Sequence, residues 1–318
     1  MNTRHALTQA AEAALAAPSI HNTQPWRWVV GDDVLQLHAQ RARQLRQLDP
    51  DGHMLLLSCG AALHHACVAL AAEGWDFEVE RPAGDPLAII RATDRHSADP
   101  EAMRHFQATM VRHTDRRTVT TEPVDPESIA AVAAAAQRAG AQLHVIPAEQ
   151  RVDLAVTVER AQAAEAADPA QRAELAEWVG GHRDDGTGVP DTVIPARPPQ
   201  TTVAGRDFGR AGTLQPGEGH DSAAVYAILH GAGDDPADWL RAGEALSAAW
   251  LAATEHGLTM LPLSAPTEVG ATRETLRRLL SGVGYPYIAM RLGAADPDHA
   301  GPPHTPRLTA DQTVEFAD

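Results

Sequence analysis

Two long apolar segments at a constant spacing of 183 residues set the frame for this chain. Gly60-Ala61-Ala62-Leu63-His64-His65-Ala66 lines up with Gly243-Glu244-Ala245-Leu246-Ser247-Ala248-Ala249, and the two runs end at Gly74 and Gly257. A helix that is apolar almost all round has no solvent face and must be buried on most sides. The glycine then stops it, and a strand candidate follows in both places. Identities at Gly60/Gly243, Leu63/Leu246 and Gly74/Gly257 carry weight. The alanine matches carry little in so alanine-rich a chain. The pattern fits a duplicated helix–strand unit, or two unrelated core helices with similar composition.

Around these helices the sequence alternates elements in an α+β manner. A first helix reads from Thr8 to Ala17 and stops before Pro18. Trp26–Val30 and Val34–Ala39 read as paired strands around Gly31-Asp32-Asp33. The first apolar helix runs from Met54 to Glu73, followed by short strands at Phe77–Glu80 and Ala88–Ala92. A helix spans Pro100 to about His113. Asp125-Pro126-Glu127 opens another, with an N-cap, a proline at the first helical position and an acid in the first turn. Strands at Gln142–Ile146, Ala223–Leu229, Thr259–Leu263 and Tyr285–Leu292 are separated by helical material to Val179, by Pro236–His256 and by Arg273–Leu280. Residues 180–219 stand apart, with nine of the 24 glycines and five of the 23 prolines. Such a stretch is a functional lid or a disordered insertion.

Charge and composition narrow the function. The formal net charge is -16, which argues against a nucleic-acid partner. All 26 basic residues are arginine, so a phosphate site must be built from Arg, His or backbone N–H groups, and Schiff-base lysine chemistry is excluded. Cys59 and Cys67 lie roughly 12 Å apart on one helix and cannot bridge, which fits reduced thiols. No basic-then-apolar leader opens the chain. No uninterrupted apolar run approaches the ~20 residues of a membrane span. A cytoplasmic protein without membrane contact is expected. The 16 histidines show no HExxH-type spacing, and neither GxGxxG nor a P-loop occurs, so a metal centre, a Rossmann fingerprint and a P-loop are unsupported.

The most informative stretch is Ala17-Pro18-Ser19-Ile20-His21-Asn22-Thr23-Gln24-Pro25-Trp26. Two prolines restrict the loop, while Ser19 and Asn22 offer directed donors and acceptors. That suits the edge of a flat heterocycle, and equally an ordinary helix-to-strand connection. The stretch resembles the APSxxNxQPW signature of the FMN-dependent nitroreductase family at every specified position. The resemblance implies flavin contacts by Pro18, Ser19 and Asn22.

Arg112-His113-Thr114-Asp115-Arg116-Arg117, followed by Pro123-Val124-Asp125, is similar to that family's basic opening. By itself the cluster is equally an arginine-rich helix C-terminus. The resemblance implies phosphate contacts from Arg112 and Arg116, with His113 and Thr114 beside them. Leu263-Ser264-Ala265 stands where the family's flavin-facing strand ends, with Ser264-Ala265 in place of the usual Glu-Gly pair. Thr305-Pro306-Arg307-Leu308 resembles the tail that returns a basic residue, Arg307, to the phosphate. No counterpart follows Ile146 for a further flavin-contacting Asn.

The family's order is inverted here, with the proline-serine loop first and the basic opening about one hundred residues later. Two degenerate nitroreductase-like halves, 1–98 and 99–318, fused as an intramolecular pseudo-dimer with a lid insertion at about 180–219, would account for this. The pattern resembles the actinobacterial Acg-like branch. It implies an FMN cofactor, NAD(P)H as reductant and a small nitroaromatic or quinone-like acceptor, with no catalytic side chain of its own. It implies alternatively a flavin-sequestering protein with a covered cofactor. A built-in pair of halves favours a monomer.

Overall fold

The computed structural model describes residues 2–296 and 301–317. Helix α1 (Thr3–Ala13) is capped by Asn2, whose side chain accepts from the His5 N–H, and leads through the 18–25 loop into β1 (Trp26–Val30) and β2 (Val34–Ala39). Helix α2 (His53–Ala72), β3 (Trp75–Glu80) and β4 (Ala88–Arg95) complete the first unit. Then come α3 (Pro100–Val111), α4 (Pro126–Arg138), β5 (Gln142–Val145), α5 (Arg151–Ala167) and α6 (Pro169–Trp178). After residues 180–219 the chain forms β6 (Val225–Gly231), α7 (Pro236–Glu255), β7 (Leu258–Leu263), α8 (Ala265–Glu268), α9 (Gly270–Leu279) and β8 (Tyr285–Ala294). A short α10 (Ala310–Thr313) and β9 (Val314–Phe316) end it.

Two sheets result. The first has the order β3-β4-β2-β1-β9, with β9 parallel to β1, so the tail completes the sheet of the N-terminal unit. The second, β5-β6-β8-β7, is antiparallel throughout. The α+β reading of the sequence holds, and the bounds of β1 and β2 agree to the residue with the alternation that marked them.

The two apolar helices form the centre. α2 and α7, and likewise β3 and β7, begin and end at positions 183 apart, the spacing that also separates the bonded pair His64 and Ser247. They cross where neither has a side chain. A Cβ on Gly60 would lie 1.9 Å from the Leu240 carbonyl oxygen, and one on Gly243 would lie 2.0 Å from that of Leu57. These contacts are reciprocal, as in an isologous pair. Only glycine permits backbones to approach so closely. α7 starts with a capping box between Asp235 and Asp238 and Pro236 at its first turn. α2 uses Asp49, whose carboxylate accepts from the Met54 and Leu55 N–H groups at 3.0 and 2.9 Å.

One sequence expectation needs correction. Helix α2, at 20 residues and a mean hydropathy of 1.8, is itself long and apolar enough to cross a bilayer. The protein encloses it instead, with 83% of its apolar window buried against α7 and the sheets.

Candidate functional site

The loop after α1 is held in a costly conformation. His21, Asn22 and Gln24 have φ of 44°, 57° and 48°, the left-handed region that non-glycine residues seldom adopt. Bonds from every side enforce it. The Gln24 N–H donates to Ser19 Oγ at 2.9 Å, and the Ile20 N–H to Ser58 Oγ on α2 at 3.1 Å. Asn22 Nδ2 donates to the carbonyls of Pro306 at 2.8 Å and Gly188 at 3.1 Å, while Gln24 Nε2 donates to that of Gly186 at 2.8 Å. Arg307 Nη1 returns a bond to Asn22 Oδ1 at 3.0 Å. The loop therefore ties the glycine-rich segment and the C-terminal tail to one point, and backbone strain so over-determined commonly marks a functional site.

Beside this loop lie three guanidinium groups, Arg112 buried and Arg116 and Arg307 half-buried. Arg112 caps the C-terminus of α3; Arg116 follows two residues after Thr114, which bridges to Met260 of β7; Arg307 comes from the tail. Among the described residues none of the three has an ion pair. Arg112 donates to the Ala16 carbonyl and lies over the Trp250 ring at 4.6 Å. Arg116 reaches only the Val193 carbonyl, at 3.4 Å, and stacks on Phe208. The Nε atoms of Arg112 and Arg307 and Nδ1 of His113 are buried without partners. Burial, aided by Arg307 nearby, pulls Arg112 down to about 9, and burial pulls Arg116 and Arg307 down to about 10. His113 stacks on His304 at 4.1 Å, and burial plus that neighbour bring it down to about 4. The adjacent Arg117 and Arg206 contrast with these, because each is neutralised by carboxylates. A desolvated cation set without a paired carboxylate suits an anionic group.

These groups line one end of a two-part cavity. Its polar part, about 510 Å³ of empty space, is bounded by Asn22, Arg112, His113, His304 and Arg307. Its apolar part, about 710 Å³, lies between α2 and α7, against Leu57, Ala61, Leu246, Trp250 and Leu261. Pro18, Ser19, His21, Thr114 and Arg116 line both parts. An apolar chamber that adjoins a cation-lined space suits an aromatic ligand with an anionic tail. The roof of the apolar part comes from the glycine-rich segment, through Arg206 and Phe208. Arg206 is pinned there by Glu165 of α5 at 2.9 Å and Glu268 of α8 at 2.6 Å, and it bonds Ser264 Oγ at 3.3 Å.

Of the residues singled out from the sequence, Pro18, Ser19, Asn22, Arg112, His113, Thr114, Arg116, Ser264 and Arg307 meet at this cavity. Leu263 and Ala265 do not line it. Leu263 packs into a core with Tyr226 and Leu276, and the chamber is reached instead by Leu261 and Pro262, earlier on β7. Asn22 borders the cationic part rather than the apolar chamber, with its amide spent on the tail and roof. Sequence reasoning missed His21, Trp250, Arg206, Phe208 and His304. His21 sits at an unspecified motif position, and its ring is held neutral by burial and by Arg206 and Arg116. No cluster of three or more metal-binding side chains exists among the described residues.

The family profile described as Nitroreductase family matches residues 109–293. Two Mycobacterium tuberculosis (strain H37Rv) proteins are similar over nearly the whole chain. "Putative NAD(P)H nitroreductase Rv3131" is 39% identical, covering 95% of this chain and 89% of its own length. "Putative NAD(P)H nitroreductase acg" is 32% identical, covering 98% and 96%. Among solved structures, the FMN-dependent nitroreductase NfnB of Mycobacterium smegmatis in complex with NADPH superposes with a TM-score of 0.42. It is 18% identical, over 69% of this chain and 100% of its own.

Proposed function

The chain belongs to the nitroreductase family, and on that premise we propose that the two-part cavity binds FMN in an oxidoreductase that takes reducing equivalents from NAD(P)H. One observation carries the reading: three guanidiniums, Arg112 buried and Arg116 and Arg307 half-buried, stand at the mouth of an apolar chamber with no ion pair among the described residues. Arg112, Arg116 and Arg307 would hold the FMN phosphate, with Thr114 beside them, by charge-assisted bonds that answer their missing counter-charge. Pro18, Ser19 and His21 would edge the ring, and Leu57, Leu246 and Trp250 would exclude water from its faces. FMN, when bound, supplies hydride acceptance and delivery to an electron-poor acceptor such as a nitroaromatic or quinone. The side chains contribute binding, orientation and dryness, and none is assigned as an acid or nucleophile. Because one chain brings both the proline-serine loop and the arginines to one cavity, we read it as a fused pair of halves that works as a monomer.

The roof supports a second reading, a flavin-sequestering protein with little turnover. Phe208 and Arg206 close the apolar chamber, and Arg206 is latched by two buried carboxylates. Anaerobic mixing of the FMN-loaded protein with NADPH and with NADH separates the two. Rapid bleaching of the flavin absorbance supports the enzyme; a spectrum unchanged for hours leaves the sequestering role. A chain that takes up no FMN at all refutes both.

A further inference from the structure

Beyond the roof lies a second large cavity, about 1130 Å³ of empty space beneath residues 194–211. Its apolar walls are stiff, built from Ile194, Pro195, Pro198 and Pro199. Its charge is one-sided for a chain of net charge -16. Arg116, Arg197, Arg206, Arg210 and Arg291 line it, against the single carboxylate of Asp207. Arg206 and Arg210 are already paired, with Glu165 and Glu268 and with Asp191. Arg197 is exposed and has no hydrogen bond or ion pair among the described residues. Arg291 is buried and also held, by Asp221 at 4.0 Å and by the carbonyls of Asp115 and Arg117, with only its Nε lacking a partner among the described residues.

The cavity adjoins the flavin chamber. Arg116, Arg206 and Phe208 line both, so the Phe208 ring is part of the wall between them. That ring is held edge-on by His21 at 6.2 Å and beneath the Arg116 guanidinium at 5.3 Å. A nicotinamide dinucleotide is longer than the chamber. Its nicotinamide must enter, while its phosphates and adenosine stay in a neighbouring space. Another cavity, about 960 Å³, also meets Phe208, but its charges are Arg172, Asp207 and Glu165, the last already paired with Arg206, so it offers a polyanion no cationic surplus. The arginine-lined space attracts one.

We propose that the cavity beneath residues 194–211 receives the adenosine end of NADPH, with Arg197 reading the 2′-phosphate, so that NADPH is preferred over NADH. The step rests on the flavoprotein reading above, with Phe208 swinging aside to admit the nicotinamide. The 2′-phosphate is a dianion and the 2′-hydroxyl of NADH is neutral, so an unpaired guanidinium at the rim discriminates between them.

The test is calorimetric titration of the purified full chain, incubated with FMN, using adenosine 2′,5′-bisphosphate and 5′-AMP as probes. The bisphosphate should bind at least about tenfold more tightly. Arg197→Ala, an exposed change, should remove most of that preference and leave FMN content intact. Arg197→Glu should abolish bisphosphate binding. Equal binding of the two probes, binding of neither, or a preference that survives Arg197→Ala overturns the assignment. Flavin stoichiometry, read from absorbance on the same sample, judges the flavoprotein reading separately, because the nucleotide titration involves no reduction.

Discussion

Replacing Arg112 with Met separates a ligand-binding cation from a structural one, because the two roles predict opposite signs. The Met stem keeps its place over Trp250 and fills most of the same volume. What it removes is a guanidinium that is 4% exposed, faces Arg307 and has no carboxylate among the described residues. The fall of Arg112 from 12.5 to about 9 means that its charged form is worse off in the apoprotein than in water by roughly 3–5 kcal/mol. Against this stand the bond to the Ala16 carbonyl and the contact with Trp250, together about 2 kcal/mol. The neutral variant should therefore stabilise the apoprotein by about 1–3 kcal/mol, as loss of an uncompensated buried charge does. FMN binding should weaken by about 1.5–3 kcal/mol, roughly tenfold to 150-fold. Urea unfolding of the apoprotein reads the first quantity, and quenching of FMN fluorescence on titration reads the second. A variant that is less stable without ligand and binds FMN normally would refute the assignment of Arg112 to the anion.

Three further outcomes follow from the same geometry. Gly60→Ala puts a methyl group 1.9 Å from the Leu240 carbonyl, so α2 and α7 must separate; the loss should reach about 3 kcal/mol or more, and an unchanged urea midpoint would show that the helices do not cross there. His64 is held neutral, down to about 3, by burial, whereas in the unfolded chain it protonates near 6.5. The unfolded state therefore binds more protons between those values, so stability falls as pH drops through that window. His64→Asn should flatten the fall by up to about 1.4 kcal/mol per pH unit, and parallel curves for the two proteins would contradict this. Phe208→Ala should speed anaerobic flavin reduction by NADPH at least about tenfold while costing about 3 kcal/mol of stability; an unaltered rate would free Phe208 of any part in closing the chamber.

The features that the sequence made legible are those written in local chemistry. Apolar periodicity and glycine stops located α2 and α7, and the constant spacing pointed to a repeated helix–strand unit, while their reciprocal crossing is visible only in the structure. The proline-serine loop and the arginine cluster marked most of the cavity wall through their resemblance to the nitroreductase motifs, because their residue types alone fit ordinary connections equally well. What stayed hidden depended on three-dimensional closure. Nothing local distinguishes Phe208 from any other residue of a glycine-rich segment; its role as wall comes from the latch of Arg206 with Glu165 and Glu268 and from the bonds of Asn22 and Gln24 to Gly186 and Gly188. That Leu263 and Ala265 fall outside the lining has a similar origin. Leu261 and Leu263 share a face of β7, so what separates them is how far along the strand the chamber reaches, which no local pattern gives.

The near-twofold frame raises the question of why only one end should take an anion. Adding or subtracting 183 from residues around the chamber gives the counterpart positions: Ala61 maps to Glu244, Ser264 to Arg81 and Trp250 to Cys67. At those counterparts the chain supplies its own closure, because Arg81 binds Glu244 through two bonds of 2.9 and 2.6 Å. Both charges are satisfied within the protein, so a ligand there would have to break a desolvated pair, at a cost of about 3–5 kcal/mol. At the other end Arg112, Arg116 and Arg307 have no ion pair among the described residues, so on the proposed reading a phosphate there would break none. On the proposed reading, the Arg81–Glu244 pair closes one of the two related places, and the absence of a paired carboxylate at the three arginines among the described residues leaves the other for the anion.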